Sequence, residues 1–471
     1  MPDEPTAAPA QTLWAEHAWL PEGWRRGVLL RVGSDGRWAE VRPGVAAAPE
    51  GSTAVAGPLL PGLVDAHSHA FQRAFAGLAE RRESAAADDF WSWRERMYGV
   101  ALRITPTQLR AVAAQLFVEL LQGGYTQVCE FHYLQHRPDG TPYADPLELA
   151  TAVLDGAGDA GIGVTLLPVL YERAGFDAAP LRPEQRRFAA SADDVWRLAT
   201  SLAASGRPLV SAGVAIHSLR AASPASIARL QQHATGFAGP IHVHVAEQQG
   251  EVDDCVAATG ARPIEWLARE AVLDERWQLV HATHSRRAEI DAVARSGAGV
   301  VLCPSTEANL GDGLCDLPGW LDAGVPLALG SDSHATRSWP EELRLLEYGQ
   351  RLALRRRNVA AAPDAGQAST AERLLEQAMQ AGGAAAGQAS WGLRAGARAD
   401  ALVVDRRDGA LLGIDSTRLL DAIVFSSPGR PWRDVMVAGR WVVVDHRHAH
   451  AAAVGARFAS TMAELWPPTD A

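Results

Sequence analysis

The chain has 471 residues, 47% of them hydrophobic and 21% charged, which is the composition of a soluble globular protein with room for a large α/β domain and a smaller one. Its formal net charge of −11 argues against nucleic acid and anionic membranes as partners. All 44 basic residues are arginine, so a Schiff-base lysine, a P-loop lysine and a carbamylated lysine that bridges two metal ions are all excluded.

The cysteines and the N-terminal sequence bear on the cellular location. Cys129, Cys255, Cys303 and Cys315 show no CxxC spacing, which argues against a disulfide framework and suits a reducing compartment. The first residues, up to Trp19, lack the basic and apolar regions of a signal peptide, and no stretch approaches the roughly 20 apolar residues of a membrane span. We therefore expect a cytoplasmic protein.

Both ends of the chain have β-strand patterns. Near the N-terminus, residues 27–32 and 37–42 flank the turn sequence Gly-Ser-Asp-Gly and predict a hairpin. Near the C-terminus, residues 399–404, 422–425 and 435–444 are also β-rich. We expect residues 1–57 and 391–471 to form one small β-sandwich domain that flanks the central domain, residues 58–390.

The central domain alternates strand and helix patterns. One predicted helix begins at Thr105-Pro106, an N-cap followed by proline, and ends at Gly123-Gly124. Eight apolar runs separated by helical segments predict a (β/α)8 TIM barrel. These runs are residues 59–66, 126–131, 164–169, 210–216, 241–245, 278–280, 299–302 and 325–329.

Polar residues that can bind metals follow these runs. In a (β/α)8 barrel the active site lies at the C-terminal ends of the strands, so these residues should share one rim. The strand-end segments are residues 67–69, 130–133, 171–172, 217–218, 244–247, 281–284, 304–306 and 331–334.

Four of these residues are predicted metal ligands: His67, His69, His244 and Asp332. The first two lie one residue apart on an extended segment, where side chains at this spacing point to the same side. Imidazole and carboxylate suit one divalent ion, with Zn²⁺ expected and Fe²⁺ also compatible. His242 should lie one layer deeper, with a packing role.

Three residues are candidates for catalysis. Such a metal lowers the pKa of a bound water, and side chains must then move protons. Glu247 lies just past a strand end, where it can reach the site, although carboxylates are also common at the start of a helix. His281 can orient the water or polarise a substrate, and Asp332 can accept a proton as well as bind the metal.

These residues resemble the amidohydrolase superfamily. The matching elements are Pro61-Gly-Leu-Val-Asp-Ala-His-Ser-His69, the HxxE motif from His244 to Glu247, His281 and Ser331-Asp332. HxxE after the fifth strand is typical of the mononuclear deaminase branch, with which the absence of lysine agrees. The resemblance covers nearly the whole chain, including the split β domain.

Longer strings are similar to the formimidoylglutamate deiminase family of bacterial histidine degradation. They are residues 67–80, 90–98, 130–133 and 217–220. This resemblance implies metal-dependent hydrolysis of N-formimino-L-glutamate to N-formyl-L-glutamate and ammonia, with Glu247 donating a proton to the imino nitrogen. It also implies a homodimer and a small dicarboxylate substrate. The implied substrate contacts are Gln72, Arg94, Tyr133, His217 and Arg220.

Two other interpretations remain open from the residues alone. A deaminase of a guanine-, cytosine- or adenosine-like compound would share every metal ligand, but Arg94 and Arg220 suit a dicarboxylate better than a neutral base. A non-catalytic barrel would be expected to lack a ligand or Glu247, and none is missing. The aromatic string around Arg94 fits either plain packing or a lid over the site.

Overall fold

The structure, a computed structural model, describes residues 11–82 and 89–467. The predicted β domain therefore has its first ten and last four residues outside the described ranges. The strands are β1 (Gln11–Leu20), β2 (Gly23–Val32), β3 (Trp38–Arg42), β4 (Thr53–Ala54), β5 (Leu59–Leu60), β6 (Leu63–Ser68), β7 (Tyr125–His132), β8 (Gly163–Leu170), β9 (Val210–Ala212), β10 (Val214–Ile216), β11 (Ile241–Val245), β12 (Trp277–His281), β13 (Gly299–Leu302), β14 (Leu327–Leu329), β15 (Ala401–Val404), β16 (Trp432–Val437), β17 (Arg440–Val444) and β18 (Arg447–His448).

Helices fill most of the connections, and none of the described helices is long and apolar enough to cross a membrane. The α-helices are α1 (Phe90–Ala101), α2 (Pro106–Gln122), α3 (Glu148–Ala160), α4 (Ala192–Ala203), α5 (Pro224–His233), α6 (Gln249–Thr259), α7 (Pro263–Glu270), α8 (Arg287–Ser296), α9 (Pro304–Leu310), α10 (Leu317–Asp322), α11 (Trp339–Leu354), α12 (Thr370–Ala385), α13 (Leu419–Phe425) and α14 (Ala451–Leu465).

The central strands form a parallel sheet in the order β14-β13-β12-β11-β10-β8-β7-β6, with β9 beside β8. The two edge strands, β6 and β14, meet near their C-terminal ends. The backbone N–H of Asp332 donates to the carbonyl of His67 (2.9 Å), and that of His69 donates to the carbonyl of Asp332 (3.2 Å). The sheet is therefore closed, which confirms the predicted (β/α)8 barrel.

The first predicted barrel strand, residues 59–66, is in fact two strands in different sheets. β5 pairs with β1 and β15 of the flanking sheet, whereas β6 begins the barrel. Pro61 and Gly62 separate them, and a Cβ at Gly62 would lie 2.3 Å from Oγ1 of Thr126. Proline removes a ladder donor, and the tight contact admits only glycine, so a single continuous strand is not formed.

Both chain ends form one flanking sheet, in the order β18-β17-β16-β15-β5-β1-β2-β3, with β4 beside β1. The predicted N-terminal hairpin is confirmed, because β2 and β3 pair antiparallel. A second, smaller core lies against this sheet and includes the fully buried Leu30, Trp38 and Val403. The division of the chain at residues 57 and 390 stays a prediction.

The prediction of a strand at residues 422–425 is wrong, because this segment lies in helix α13. Leu419, Leu420, Ile423 and Val424 are its buried residues together with Ala422. A repeat of apolar pairs four residues apart places them on one face of a helix, and this period prevails over the β-propensity of the short window.

Helix α2 forms as predicted. The hydroxyl of Thr105 accepts from the backbone N–H of Gln108, whose side chain accepts in return from the backbone N–H of Thr105. Pro106 occupies the first turn, and Gly123 ends the helix. This capping box satisfies N–H groups that the first helical turn leaves without intrahelical partners.

Candidate active site

The four predicted metal ligands converge at the C-terminal rim of the barrel. Nε2 of His67 lies 3.1 Å from Nε2 of His69 and 2.9 Å from Nε2 of His244. Oδ1 of Asp332 lies 3.5 Å from Nε2 of His67 and 3.3 Å from Nε2 of His69. All four residues are buried, with at most 8% of any one exposed.

The hydrogen bond of His69 determines which of its ring nitrogens faces the other candidate ligands. Nδ1 of His69 lies 3.1 Å from the carbonyl of Phe131, which can only accept, so Nδ1 carries the proton and Nε2 the lone pair. Burial lowers the pKa of His67 to about 3, which keeps this ring neutral. Imidazole nitrogens and a carboxylate this close together fit a divalent metal ion, whose charge would offset the otherwise costly convergence of acceptors.

Asp332 is held in place by its backbone. It has a φ of +48°, a left-handed conformation that is uncommon outside glycine. Its neighbour Gly330 admits no side chain, since a Cβ there would lie 2.6 Å from Cβ of His67. Burial acts to raise the pKa of Asp332, but its close contacts with His67 and His69 outweigh that effect and hold the pKa well below its ordinary range. The carboxylate is thus an anion aimed at the histidine cluster.

Glu247 and His281 lie beside this cluster. Nε2 of His281 is 3.7 Å from Oε1 of Glu247 and 3.7 Å from Oδ2 of Asp332. Burial raises the pKa of Glu247, which favours a protonated carboxyl able to donate. Burial opposes a charge on His281, but Glu247, Glu307 and Asp332 together raise its pKa. The three catalytic candidates therefore lie in one cluster of ionisable groups.

Glu307 is a site residue that the sequence analysis missed. It lies on α9, and its Oε1 accepts from Nδ1–H of His281 (3.3 Å) and from the backbone N–H of Cys303 (2.9 Å). The carboxylate therefore fixes the orientation of the imidazole, so that its other nitrogen, Nε2, points towards Glu247 and Asp332. The available signal was its position in the segment after the seventh barrel strand, one residue beyond the predicted strand-end segment 304–306.

The five predicted substrate residues line one pocket together with His69, His244, Glu247, His281 and Asp332. The structure thus brings the predicted metal, catalytic and substrate residues to one place. Gln72 follows β6 and donates through Nε2 to the hydroxyl of Tyr133 (2.9 Å), and its Oε1 is buried with no partner among the described residues. The ring centroid of His217 lies 5.3 Å from that of His244, next to the cluster.

Arg94 and Arg220 give this pocket its charge. Arg94 is on α1 and Arg220 is on the loop after β10. Their guanidinium carbons lie 4.4 Å and 5.5 Å, respectively, from the ring of Trp91. Neither forms an ion pair with a carboxylate of the described residues, and Nε of each is buried without a partner there. Burial and the charge of Arg220 lower the pKa of Arg94. Two partly buried guanidiniums without an ion-pair partner in the described part of the chain have the chemistry to bind carboxylates.

Helix α1 forms much of the pocket wall. Phe90, Trp93, Met97 and Tyr98 of this helix line the pocket, so the aromatic string contributes both packing and pocket surface. His242 takes no part in the cluster of ligand atoms. Its Nε2 donates instead to the carbonyl of Ala385 at the end of α12 (2.9 Å).

Comparison with protein families identifies this architecture. The family described as "Amidohydrolase family" matches residues 59–442, and "Formimidoylglutamate deiminase HutF, N-terminal domain" matches residues 10–52. The chain belongs to the amidohydrolase family.

Among its relatives, a formimidoylglutamate deiminase of Pseudomonas aeruginosa is 47% identical over 96% of this chain and 99% of its own length. A 5-methylthioadenosine/S-adenosylhomocysteine deaminase of Natronomonas pharaonis is 30% identical over 84% of each chain. A crystal structure of an amidohydrolase from Brucella melitensis superimposes with a TM-score of 0.91 and 40% identity, covering 97% of this chain and 99% of that one. The resemblance inferred from the motifs is confirmed.

Proposed function

We propose that this protein is a formimidoylglutamate deiminase, which hydrolyses N-formimino-L-glutamate to N-formyl-L-glutamate and ammonia in histidine degradation. The observation that carries the proposal is a pair of partly buried arginines, Arg94 and Arg220, in the same pocket as the histidine–aspartate cluster and without an ion-pair partner among the described residues. The 47% identity with the Pseudomonas aeruginosa enzyme supports the same substrate.

The cluster supplies the site for one divalent ion. His67, His69, His244 and Asp332 would hold it. Zn²⁺ is proposed because imidazole and carboxylate ligands suit it, and Fe²⁺ is the alternative. When bound, such an ion lowers the pKa of a coordinated water and polarises the substrate carbon–nitrogen bond.

The protein side chains move the protons. The formimino carbon gains an oxygen from water and loses its imino nitrogen as ammonia, so protons must pass from the water to that nitrogen. Asp332 accepts the water proton and His281 orients the water, while the raised pKa of Glu247 equips it to protonate the nitrogen. Nε2 of His281 lies 3.7 Å from Oε1 of Glu247, so each side chain can stabilise the charge on the other while the protons move.

The arginines select the substrate. A guanidinium binds a carboxylate through two parallel N–H···O bonds, so two guanidiniums can neutralise both carboxylates of a glutamate derivative or share one. A neutral nucleobase would leave both charges unpaired in a partly buried site, which is costly. We therefore favour a dicarboxylate substrate over a nucleobase or nucleoside. The nucleoside alternative is considered because a 5-methylthioadenosine/S-adenosylhomocysteine deaminase is among the relatives.

The cytoplasmic location and the homodimer stay predictions, the first from composition and the second from family resemblance. The function is tested by measuring ammonia release from N-formimino-L-glutamate by the purified zinc-loaded protein, with guanine, cytosine and adenosine in parallel. Release from the glutamate derivative alone is expected. Release from a nucleobase or nucleoside alone would leave the metal site intact and show that the arginine pocket was misassigned.

A further inference from the structure

Two tyrosine hydroxyls lie in the active-site pocket without an assigned task. Tyr98 is on α1 and Tyr171 directly follows β8, and both line the pocket with Arg94 and Arg220. Their side chains are almost fully buried, with 3% and 5% of the two residues exposed. A buried hydroxyl normally uses its hydrogen-bonding capacity, so the partners of these two groups are informative.

The side-chain amide of Gln185 determines whether the two tyrosine hydroxyl oxygens donate or accept hydrogen bonds. Its Oε1 accepts from the backbone N–H of Arg182 (3.0 Å), which places the NH₂ group at the other end of the amide. Nε2 then donates to the hydroxyl of Tyr171 (2.7 Å) and, over a longer distance, to that of Tyr98 (3.4 Å). The hydroxyl of Tyr98 also accepts from Nη2 of Arg182 (3.3 Å). Each tyrosine oxygen is therefore an acceptor towards the protein.

The hydroxyl protons are consequently left for the pocket. A tyrosine hydroxyl has one proton to donate, and within residues 11–82 and 89–467 neither hydroxyl donates it to a protein acceptor. Burial raises the pKa of Tyr171, so this group keeps its proton, although Arg94 and Arg220 oppose that effect. The guanidinium carbon of Arg94 lies 5.8 Å from the ring of Tyr98. Among the described residues, two hydroxyl donors without an acceptor thus accompany two guanidiniums without an ion-pair partner.

We propose that the hydroxyls of Tyr98 and Tyr171 donate hydrogen bonds to a carboxylate of the substrate, and that Gln185 is the positioning residue that directs them. A carboxylate has about four lone-pair sites, more than one bidentate arginine fills, so the hydroxyls complete its coordination. The inference rests on the proposed function and adds to it the residues that recognise the dicarboxylate.

The experiment measures binding separately from turnover. Calorimetric titration of N-formyl-L-glutamate, the proposed product, into the metal-loaded protein reports on the carboxylate site without chemistry. Tyr98→Phe and Tyr171→Phe remove one hydroxyl each and keep the ring, and we expect each to weaken binding by about tenfold, as for loss of a bond to a charged group. Tyr348→Phe, on the exposed side of α11, is the matched control and should bind as the wild type does.

A second variant tests the direction of the bonds. Gln185→Glu replaces the donor with a carboxylate that would accept the two hydroxyl protons, so binding should fall at least as far as in the single tyrosine variants while both hydroxyls remain. Unfolding temperatures identify any variant that has lost its fold. Wild-type affinity in both tyrosine variants, or in folded Gln185→Glu, overturns the inference.

The two proposals fail in different ways. If the wild type releases ammonia from N-formimino-L-glutamate but the tyrosine variants bind normally, the function stands and the role of the hydroxyls is refuted. If binding of N-formyl-L-glutamate depends on the hydroxyls but the wild type releases no ammonia, the carboxylate site stands and the proposed reaction is refuted.

Discussion

Asp332 and His67 are joined twice. The backbone N–H of Asp332 donates to the carbonyl of His67 (2.9 Å), and Oδ1 of Asp332 lies 3.5 Å from Nε2 of His67. The first contact closes the barrel between its first and last strands, and the second belongs to the candidate metal site. The fold and the site therefore depend on the same pair of residues, and distortion of the seam where the barrel closes would also displace a ligand.

The cluster should bind a metal ion that needs the Asp332 carboxylate. Asp332→Asn removes the anionic ligand, and we expect it to lower the metal content measured by elemental analysis and the rate of ammonia release together. Asp364→Asn, at an exposed position, is the control. Full metal content in Asp332→Asn would contradict the ligand assignment. Chelation of the wild type should abolish activity, and added Zn²⁺ should restore it.

Glu247 should be needed for proton transfer and not for the metal. Glu247→Gln keeps the size of the side chain but cannot donate a carboxyl proton, so kcat should fall by about 10² or more, a typical contribution of general acid–base catalysis. The metal content should stay at the wild-type level, and exposed Glu22→Gln should leave both quantities unchanged. Near-normal turnover in Glu247→Gln would remove Glu247 from this role.

Glu307 should act through His281. The Glu307 carboxylate lies 3.3 Å from Nδ1 of His281, so removing this carboxylate should misorient the imidazole without removing a substrate contact. We expect Glu307→Ala to lower kcat by roughly 10- to 100-fold with little change in KM, as for other residues that orient an active-site histidine. Glu307→Gln keeps an acceptor oxygen and should recover part of kcat. A rise in KM at constant kcat would instead indicate a substrate contact.

Arg94 and Arg220 should determine affinity for the dicarboxylate. Arg94→Met and Arg220→Met keep the apolar stem and remove the charge, and each should lower kcat/KM for N-formimino-L-glutamate by about 10² through loss of charge-assisted hydrogen bonds. Lysine at either position should recover little, because it lacks the planar fork. Arg356→Met, on the exposed surface, serves as the control, and equal effects of all three methionine variants would refute the assignment.

Acid should weaken the flanking sheet through Asp405. Burial acts to raise the pKa of this carboxyl, but bonds from the backbone of Arg407 and from His446 outweigh it and lower the pKa to about 2. A lowered folded-state pKa stabilises the fold above the unfolded value of about 3.9 and loses this contribution as pH falls towards 2. Asp405→Asn should therefore cost about 1 kcal/mol of unfolding free energy at pH 6.

The measurement is denaturant unfolding of the wild type and Asp405→Asn at several pH values. The difference between them should shrink as the pH approaches 2, because the wild-type carboxyl is then protonated as well. A difference that stays constant down to that pH would show that the effect of the substitution is steric and not ionic.

The sequence predicted those parts of the molecule that depend on local pattern. Buried strands show as apolar runs, and chain order then places residues such as His67 and Asp332 on one rim, because parallel strands end together. The same dependence on local pattern led to the wrong prediction of a strand at residues 422–425, because four residues span about one helical turn and show no helical period. It also merged β5 with β6, because both are short apolar strands that are adjacent in the chain and differ only in the strands with which they pair.

What the sequence could not show are side-chain contacts between segments that only the fold brings together. Glu307 is a helix residue like many others until the fold brings it to His281. The same holds for Gln185, whose task follows from the orientation of its amide between Arg182 and Tyr171. Such roles depend on how separate segments meet in the fold, and the sequence offered one signal of them, the position of Glu307 just past a predicted strand-end segment.

The central claim is tested most directly by identifying the products of N-formimino-L-glutamate by NMR. Water can break either carbon–nitrogen bond of the formimino group. The proposed arrangement, in which Glu247 protonates the imino nitrogen, predicts ammonia and N-formyl-L-glutamate in equal amounts. Formamide and glutamate, or no conversion by the metal-loaded protein, would contradict it.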